Sequence, residues 1–483
     1  MKMPFVLPIK TALGYYVYDA NRNEIVRVSK QLYLYLINLT QIVEKSDPRK
    51  NFDMDESELA SAEKDFNQLR ECGYFLPSQI ESVQHPLSEK IEILLDRAMG
   101  SLTLQVTQNC NLRCKYCVYS EESNNHQRSH SNNIMSFKTA KKALDFFRRH
   151  IADTKNAAVG FYGGEPLLAF PLIKKAVQYA ENVFEGREII FSITTNGTLL
   201  TDEIIQFLIK HKFKVTISID GPESIQNQNR VFANGSGSYD VVLHNLKKYY
   251  RLDPNHLSGV ALSMVIGSQT DYLSLLPLFD EPELKNVELL FSYVEENSEV
   301  LPPSNEYIAQ YNSDFFLALI NYFRKGDQSV LNPFMKTSVK DFSQNKEKVV
   351  TNILSPMTAP AGPCVPGKAR LFVNCFGDFY PCEKVNENKY MRIGSLESGL
   401  DYAKIQSLLN VSSLSASRCK KCWAFSLCQV CAKGFDERNK NPELSIRICE
   451  TSRKSAFHKI MCKIISYEND QHSRYMKKIK TGV

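Results

Sequence analysis

The sequence predicts an α/β protein: a partial (β/α)6 barrel of the TIM-like kind, preceded by a small α+β module and followed by a cysteine-rich region. Three observations carry this expectation. Between residues 96 and 325, six short apolar runs alternate with helical stretches. Such alternation argues for a parallel sheet with right-handed crossovers. Before it, GYYVYDANRNEIVRVSK breaks two extended runs at a DANRN turn, and helical spacing follows. After it, from residue 361, the chain is dense in cysteine, with short elements and Gly/Pro turns.

Length and charge bound the rest. A chain of 483 residues, 43% hydrophobic and 23% charged, is long enough for two to four globular domains with a large core. A net charge of +6, with no dense Lys/Arg block, gives no footprint for nucleic acid. No apolar run reaches membrane-spanning length, and MKMPFVLPIKTALGYYV lacks the long apolar core of a secretory signal. The expectation is a soluble, cytoplasmic protein without a membrane or nucleic-acid partner.

Residues 1–95 read as a small hairpin with helices, the helical spacing running through QLYLYLINLTQIVEK and ESELASAEKDFNQLRECGYF. Across 96–325 the strands are LTLQVT (102–107), AAVGFY (157–162), IIFSITT (189–195), KVTISID (214–220), GVALSMVI (259–266) and VELLFSY (287–293). TAKKALDFFRRHI and DEIIQFLIKH are examples of the intervening helices. Ligands in such folds sit at the carboxyl ends of the strands. Residues 326–360 look polar and irregular, a linker. Residues 361–465 form the cysteine-rich domain, and 466–483 a solvated tail.

The 13 cysteines fall mostly into two groups, with none between Cys117 and Cys364. In a reducing compartment, clustered thiols read as metal or iron–sulfur ligands. The first group is CNLRCKYC, with Cys110, Cys114 and Cys117 directly after a strand. Four thiolates close a tetrahedral site, whereas three leave one iron of a [4Fe–4S] cube open to a ligand bearing an amine and a carboxylate. A zinc site completed by a distant residue is the alternative. Cys72 and Cys462 have no partner in either group and are expected as buried structural thiols.

The CxxxCxxC spacing, with Tyr116 before Cys117, resembles the radical S-adenosylmethionine (SAM) superfamily. There the cluster cleaves SAM, and a 5′-deoxyadenosyl radical takes a hydrogen atom from the substrate. Other motifs fall at successive strand ends. FYGGEP (161–166) resembles the family's GGEP element, implying that Gly163, Gly164, Glu165 and Pro166 approach the SAM amino group. TTNGT (194–198) adds Thr195 and Asn196 as cofactor contacts. In SIDGP (218–222), Ser218 and Asp220 suit a ribose diol. Arg230 matches the arginine that forks the methionine carboxylate.

The C-terminal cysteines resemble the SPASM domain of peptide-modifying radical enzymes, which holds two auxiliary [4Fe–4S] clusters. The resemblance assigns Cys364, Cys382 and Cys431 to the first, with Cys375 as its fourth ligand. It assigns Cys419, Cys422, Cys428 and Cys449 to the second. One loop departs from the pattern: two residues, not three, separate Cys428 from Cys431. A zinc ribbon is the alternative for CxxC followed by CxxC. Glu383, next to Cys382, stands where sulfatase-maturing relatives carry a proton-accepting acid.

The N-terminal module resembles the winged-helix-like unit with which many maturases capture a precursor peptide's leader by β-augmentation. The resemblance as a whole implies three [4Fe–4S] clusters, SAM, a precursor peptide and a reductant such as flavodoxin or ferredoxin. It points to the maturases that form cysteine thioethers. C–C crosslinking or sulfatase maturation is the sister reading, and a non-catalytic iron–sulfur or zinc scaffold is the reading of another class.

Overall fold

The computed structural model describes residues 3–40, 54–119, 130–252, 259–296, 299–347, 353–360, 364–435 and 446–481. Residues 41–45, where the sequence extends the first helical stretch, lie outside them.

The chain opens with a three-stranded antiparallel sheet, β1 (Val6–Lys10), β2 (Tyr15–Asp19) and β3 (Glu24–Val28), in that spatial order. Helices α1 (Lys30–Thr40) and α2 (Glu56–Glu71) cover one face. Val6 and Val17 of the sheet meet Leu32, Leu36 and Phe66 of the helices there. Period-two alternation sends Leu7, Ile9, Tyr16 and Tyr18 to the opposite face. Cys72 caps the end of α2 and is exposed, not buried as the sequence suggested.

A short strand β4 (Ser82–Val83) and helix α3 (Ile91–Arg97) lead into the main sheet. Its strands are β5 (Ser101–Thr107), β6 (Asn156–Gly163), β7 (Glu188–Thr195), β8 (Lys214–Ser218), β9 (Val260–Ile266) and β10 (Glu288–Tyr293). These six lie in chain order and pair parallel throughout. Helices α4 (Phe137–Arg149), α5 (Phe170–Val183), α6 (Asp202–Lys210), α7 (Glu223–Asn229) and α8 (Tyr239–Leu252) fill the crossovers. Ser136 and Thr201 accept hydrogen bonds at the starts of α4 and α6, satisfying N–H groups that a helix leaves without an internal partner. The six strand predictions therefore stand, and the sheet is open: a partial barrel.

Beyond β10 come the small hairpin β11 (Glu295–Glu296) and β12 (Glu299–Val300), then α9 (Asn305–Phe323) and α10 (Pro333–Glu347). The stretch 326–360 was expected to be irregular, yet α10 fills 15 residues of it. Its apolar stripe Met335, Val339 and Phe342 is buried at helical spacing. The polar residues between them hid that period in the sequence. Strand β13 (Met357–Thr358) follows and pairs with β4.

The cysteine-rich region does not hang apart from the barrel. Its strand β14 (Leu371–Val373) pairs parallel with β5. Strands β15 (Asp378–Tyr380), β16 (Gly394–Ser395) and β17 (Gly399–Leu400) extend the same sheet antiparallel to ten strands. The β5 edge, a row of unpaired N–H and C=O groups if left open, is covered this way. Helices α11 (Tyr402–Leu409) and α12 (Ala416–Cys419) follow, then α13 (Ile446–Thr481), 36 residues long.

The supposed solvated tail is thus the end of α13. Ile460 and Ile464 pack on the second face of the N-terminal sheet. Glu468 accepts hydrogen bonds from Tyr16 Oη (2.9 Å) and Thr11. The first and last parts of the chain share one core. On its other side α13 packs on α10, where Cys462 is buried, as expected.

Candidate functional site

Strand β5 ends at Thr107, and the loop behind it carries Cys110, Cys114 and Cys117 at the carboxyl edge of the sheet. Two neighbours pin this loop. Residues 229–233 run beside it, with Arg113 N donating to Val231 O (2.8 Å), Lys115 N to Asn229 O (3.1 Å) and Ala233 N to Asn111 O (3.1 Å). On the other side Gly164 N donates to Thr107 O (3.0 Å) and Glu165 N to Asn109 O (2.8 Å).

The glycine pair is needed for that second contact. A Cβ on Gly163 would sit 2.2 Å from Thr107 O, and one on Gly164 2.3 Å from Asn109 O. The sequence suggested that these glycines let a ligand approach. The structure shows the loop's own backbone in that space. Gly163 also holds φ at +153°, which side chains disfavour.

Glu165 is fully buried. Its carboxylate accepts from Leu167 N (3.0 Å), Thr195 Oγ1 (2.8 Å) and Asn196 N (2.7 Å). It ties the end of β6 to the end of β7. Burial raises its pKa to about 7 against the pull of those three bonds. Asn196 Nδ2 reaches Asn111 Oδ1 at 2.8 Å and Cys110 Sγ at 3.8 Å, so Thr195 and Asn196 border the cysteine loop. Pro166 starts the short 3-10 turn that follows.

Across the site lies a buried trio. Arg230 Nε is 3.0 Å from Asp220 Oδ2, and Tyr116 Oη donates to the same oxygen. The guanidinium also lies 5.4 Å from the Tyr116 ring centre. Val265 N donates to Asp220 Oδ1 (3.1 Å), fixing the carboxylate from β9. Arg230 Nη1 reaches Cys114 Sγ at 4.0 Å. Asp220 and Arg230 were read as separate contacts, to ribose and to carboxylate. Here they pair with each other. Ser218 closes β8 beside them and is buried.

Burial pushes the Cys110 and Cys114 thiols up to about 12, with Glu165 adding to the first and Arg230 opposing the second. They become thiolates only against a strong local positive charge. Three thiols on one loop, backed by a buried guanidinium, fit an iron–sulfur cube. Among the described residues, no three His, Cys, Asp or Glu groups converge on a single metal-ion position.

The C-terminal cysteines lie in two places, and one of them stands apart from both. Cys364, Cys382 and Cys431 lie close enough that the Cys382 thiol feels both others, though burial is the larger cause of its rise to about 11. Cys419, Cys422, Cys428 and Cys449 line a cavity of about 170 Å³. Cys375 is the correction. It was assigned as fourth ligand of the first set, but its Sγ points at Gln105 O (3.2 Å) on β5. Burial and then Glu387, not the other cysteines, raise its pKa to about 12. It follows β14, which the sheet holds against β5. Glu383 is paired with Arg370.

Sequence reasoning missed a polar network on β5. Gln105, fully buried, donates to Tyr119 Oη (2.9 Å) and to Glu387, and accepts from Cys375 N (3.1 Å). The available signal was a lone glutamine inside the apolar strand LTLQVT. It also missed Ser412, Arg418, Ser452 and Arg453 around the second cysteine cavity.

Comparison with known proteins agrees with this geometry. Residues 104–271 match the Radical SAM superfamily, so the chain carries a radical SAM domain and is an enzyme. That domain implies one [4Fe–4S] cluster and SAM. An uncharacterized protein of Methanocaldococcus jannaschii is 37% identical over 175 residues, which is 36% of this chain and 56% of that protein. A cysteine-type anaerobic sulfatase-maturating enzyme of Clostridium perfringens is 24% identical over 389 residues, 77% of this chain and 99% of its own. The solved structure of native anSMEcpe with bound AdoMet and Cp18Cys peptide shares the fold. Its TM-score is 0.56 at 22% identity, covering 77% of this chain and 99% of that one. The chain thus carries a radical SAM domain and has sulfatase-maturase relatives. Among the described residues, no helix is long and apolar enough to cross a membrane.

Proposed function

We propose that this enzyme modifies a ribosomally made precursor peptide and forms a thioether between a cysteine sulfur and a substrate carbon. The carrying observation is the N-terminal module. Strand β3 is an edge of its sheet, and a groove of about 600 Å³ runs along it, lined by Tyr16, Tyr18, Tyr74 and α13 residues including Tyr467. An open edge beside an apolar groove suits an extended peptide, held by main-chain bonds and side-chain pockets. Tethering a leader there raises the core peptide's effective concentration at the site.

The domain plan that goes with this reading is a leader-binding module (1–95), the radical core (96–325) and a SPASM domain (361–465) with two auxiliary clusters. Cys110, Cys114 and Cys117 hold the radical cluster. Cys364, Cys382 and Cys431 hold the first auxiliary cluster, and Cys419, Cys422, Cys428 and Cys449 the second. Reduced by a flavodoxin or ferredoxin, the radical cluster and SAM supply the hydrogen-abstracting radical. The protein's own side chains do the rest. Glu165 fixes the loop bearing Thr195 and Asn196. Tyr116 and Asp220 hold the Arg230 guanidinium, whose remaining N–H groups can fork a carboxylate. Gly163 and Gly164 keep the cysteine loop seated. The cytoplasm, where thiols stay reduced, is the compartment this chemistry needs.

The second reading is oxidation of a cysteine in a sulfatase, favoured by the Clostridium perfringens relative that aligns over 99% of its length. In it, Glu383 would accept the proton once released from Arg370. One experiment separates the two. The reconstituted chain is incubated with SAM, a reductant, and either a cysteine-rich precursor encoded beside its gene or a sulfatase-derived cysteine peptide. A precursor that loses one H2 per site and one alkylatable thiol supports the thioether. Formylglycine on the sulfatase peptide, with the precursor unchanged, rejects it.

A further inference from the structure

The cavity lined by Cys419, Cys422, Cys428 and Cys449 has a second kind of wall. Ser452, on α13, donates its hydroxyl to Cys428 Sγ at 3.1 Å. Arg453, the next residue, stands in the cavity wall with Cys422 and Cys449. Arg418, next to Cys419, lines the same cavity. Ser412 is 3% exposed and lines the same cavity, and its Oγ has no hydrogen-bond partner among the described residues. A buried hydroxyl without a partner destabilises the fold. Its position in the wall points to an acceptor inside the cavity, and the sulfurs of a cube are such acceptors.

The other C-terminal set is surrounded differently. Around Cys364 and Cys382 stand Arg370 and Glu383, and these are paired with each other. Their charges cancel. Among the described residues, the wall of the second cavity holds two guanidiniums, Arg418 and Arg453, and no carboxylate. Hydrogen bonds to the sulfurs and positive charge nearby both favour the more negative, reduced state of a cluster, and so raise its potential.

We infer that the cluster in this cavity is the higher-potential member of the auxiliary pair, and that Arg418, Arg453, Ser412 and Ser452 set that potential. This rests on the reading of two auxiliary clusters. The redox event is a one-electron reduction of [4Fe–4S]2+ to [4Fe–4S]+, with no bond made or broken. In turnover the electron comes from the substrate radical as the C–S bond closes. A one-electron carrier protein of the flavodoxin or ferredoxin class removes it.

The test is a dithionite-poised redox titration of the full, anaerobically reconstituted chain, followed by electron paramagnetic resonance. A variant with Cys419 and Cys422 both changed to Ala identifies the signal belonging to this cavity. That signal is expected at the higher midpoint of the auxiliary pair. In Arg453→Gln and Arg418→Gln its midpoint falls, while the other signals stay. Ser412→Ala and Ser452→Ala lower it less. Arg453→Lys, which keeps the charge, restores most of the shift. Unmoved midpoints in variants that keep all their iron overturn the inference and leave the two-cluster reading intact. Zinc in place of iron in this cavity overturns that reading itself.

Discussion

At the carboxyl end of β5, Cys114 faces a guanidinium that is already spoken for: Arg230 is paired with Asp220, and Tyr116 donates to the same carboxylate. In the C-terminal cavity, Arg418 and Arg453 stand in the wall with Cys422 and Cys449, and among the described residues no carboxylate lines it. Both sites bury thiols, yet the first balances its charge and the second leaves it positive. A balanced site can admit a zwitterion such as the methionine end of SAM, because amine and carboxylate each find a counterpart. A positive site favours an electron. On the reading proposed above, the two sites are suited to different tasks, binding and cleaving SAM in one and accepting an electron in the other.

The sharpest way to break this comparison is to remove one site at a time. Cys114→Ala is expected to abolish 5′-deoxyadenosine formation and lower iron from about twelve to about eight per chain, counting three cubes. Cys422→Ala is expected to keep deoxyadenosine formation and lose the crosslinked product. Equal loss of deoxyadenosine in both, measured by chromatography, would end the division of tasks.

Next in size is the balance itself. Asp220→Asn strands a buried guanidinium, and breaking such a pair costs about 3–5 kcal/mol. Chemical denaturation should show a fall of that order, and SAM affinity should drop with it. Gly164→Ala drives a Cβ to within 2.3 Å of Asn109 O and should weaken loading of the first site alone. Gly186→Ala is not a clean control despite its open surroundings, because Gly186 holds φ at +81°. Gly160→Ala strains side chains, Ser192 and Thr103, rather than the loop backbone, and should leave loading intact.

The thiols give a pH dependence. Cys110, Cys114 and Cys419 are all held near 12 by burial, so loading iron must expel their protons. Cluster assembly measured at fixed iron and sulfide should therefore quicken as pH rises from about 7 to about 9, because below the thiols' folded values the thiolate fraction grows with each step in pH.

The smallest effect lies where α10 meets α13. His458 Nε2 stands 3.3 Å from Asp341 and 3.5 Å from the Cys462 thiol. Its pKa is raised to about 10, chiefly by the Asp341 hydrogen bond. A raised base stabilises the fold fully below its ordinary range and loses that contribution as pH passes its folded value. Asp341 is lowered by the same bond, so its contribution is lost in acid instead. His458 is about half exposed, so solvent screens the pair. Thermal stability should sag slightly as pH rises from 6.5 to about 10, and His458→Gln should flatten that sag.

How much of this could be read beforehand differs by element. The six parallel strands were legible because each is a short apolar run between turn signals, and strands buried on both faces look like that. The Cys110, Cys114 and Cys117 loop and its partners at later strand ends were legible because they are local motifs. Helix α10 was not, because polar residues interrupt its stripe of Met335, Val339 and Phe342. Cys375 was misassigned because spacing alone grouped it with Cys382, seven residues on. The sheet holds it against β5 instead, where Gln105 takes up its N–H.

By itself, then, the sequence determined the parallel core and the radical cysteine loop. Both follow from periodicity or short spacing, which a chain carries locally; the division of the later cysteines into sets came from the family resemblance. Tertiary structure alone decided the rest. It joined β14 to β5, docked α13 on the N-terminal sheet, paired Asp220 with Arg230, and gathered Ser412, Arg418, Ser452 and Arg453 around one cavity. Each of these contacts joins residues that no local pattern links. They arise only when an open sheet edge, an apolar face or a buried charge must find its partner elsewhere in the chain.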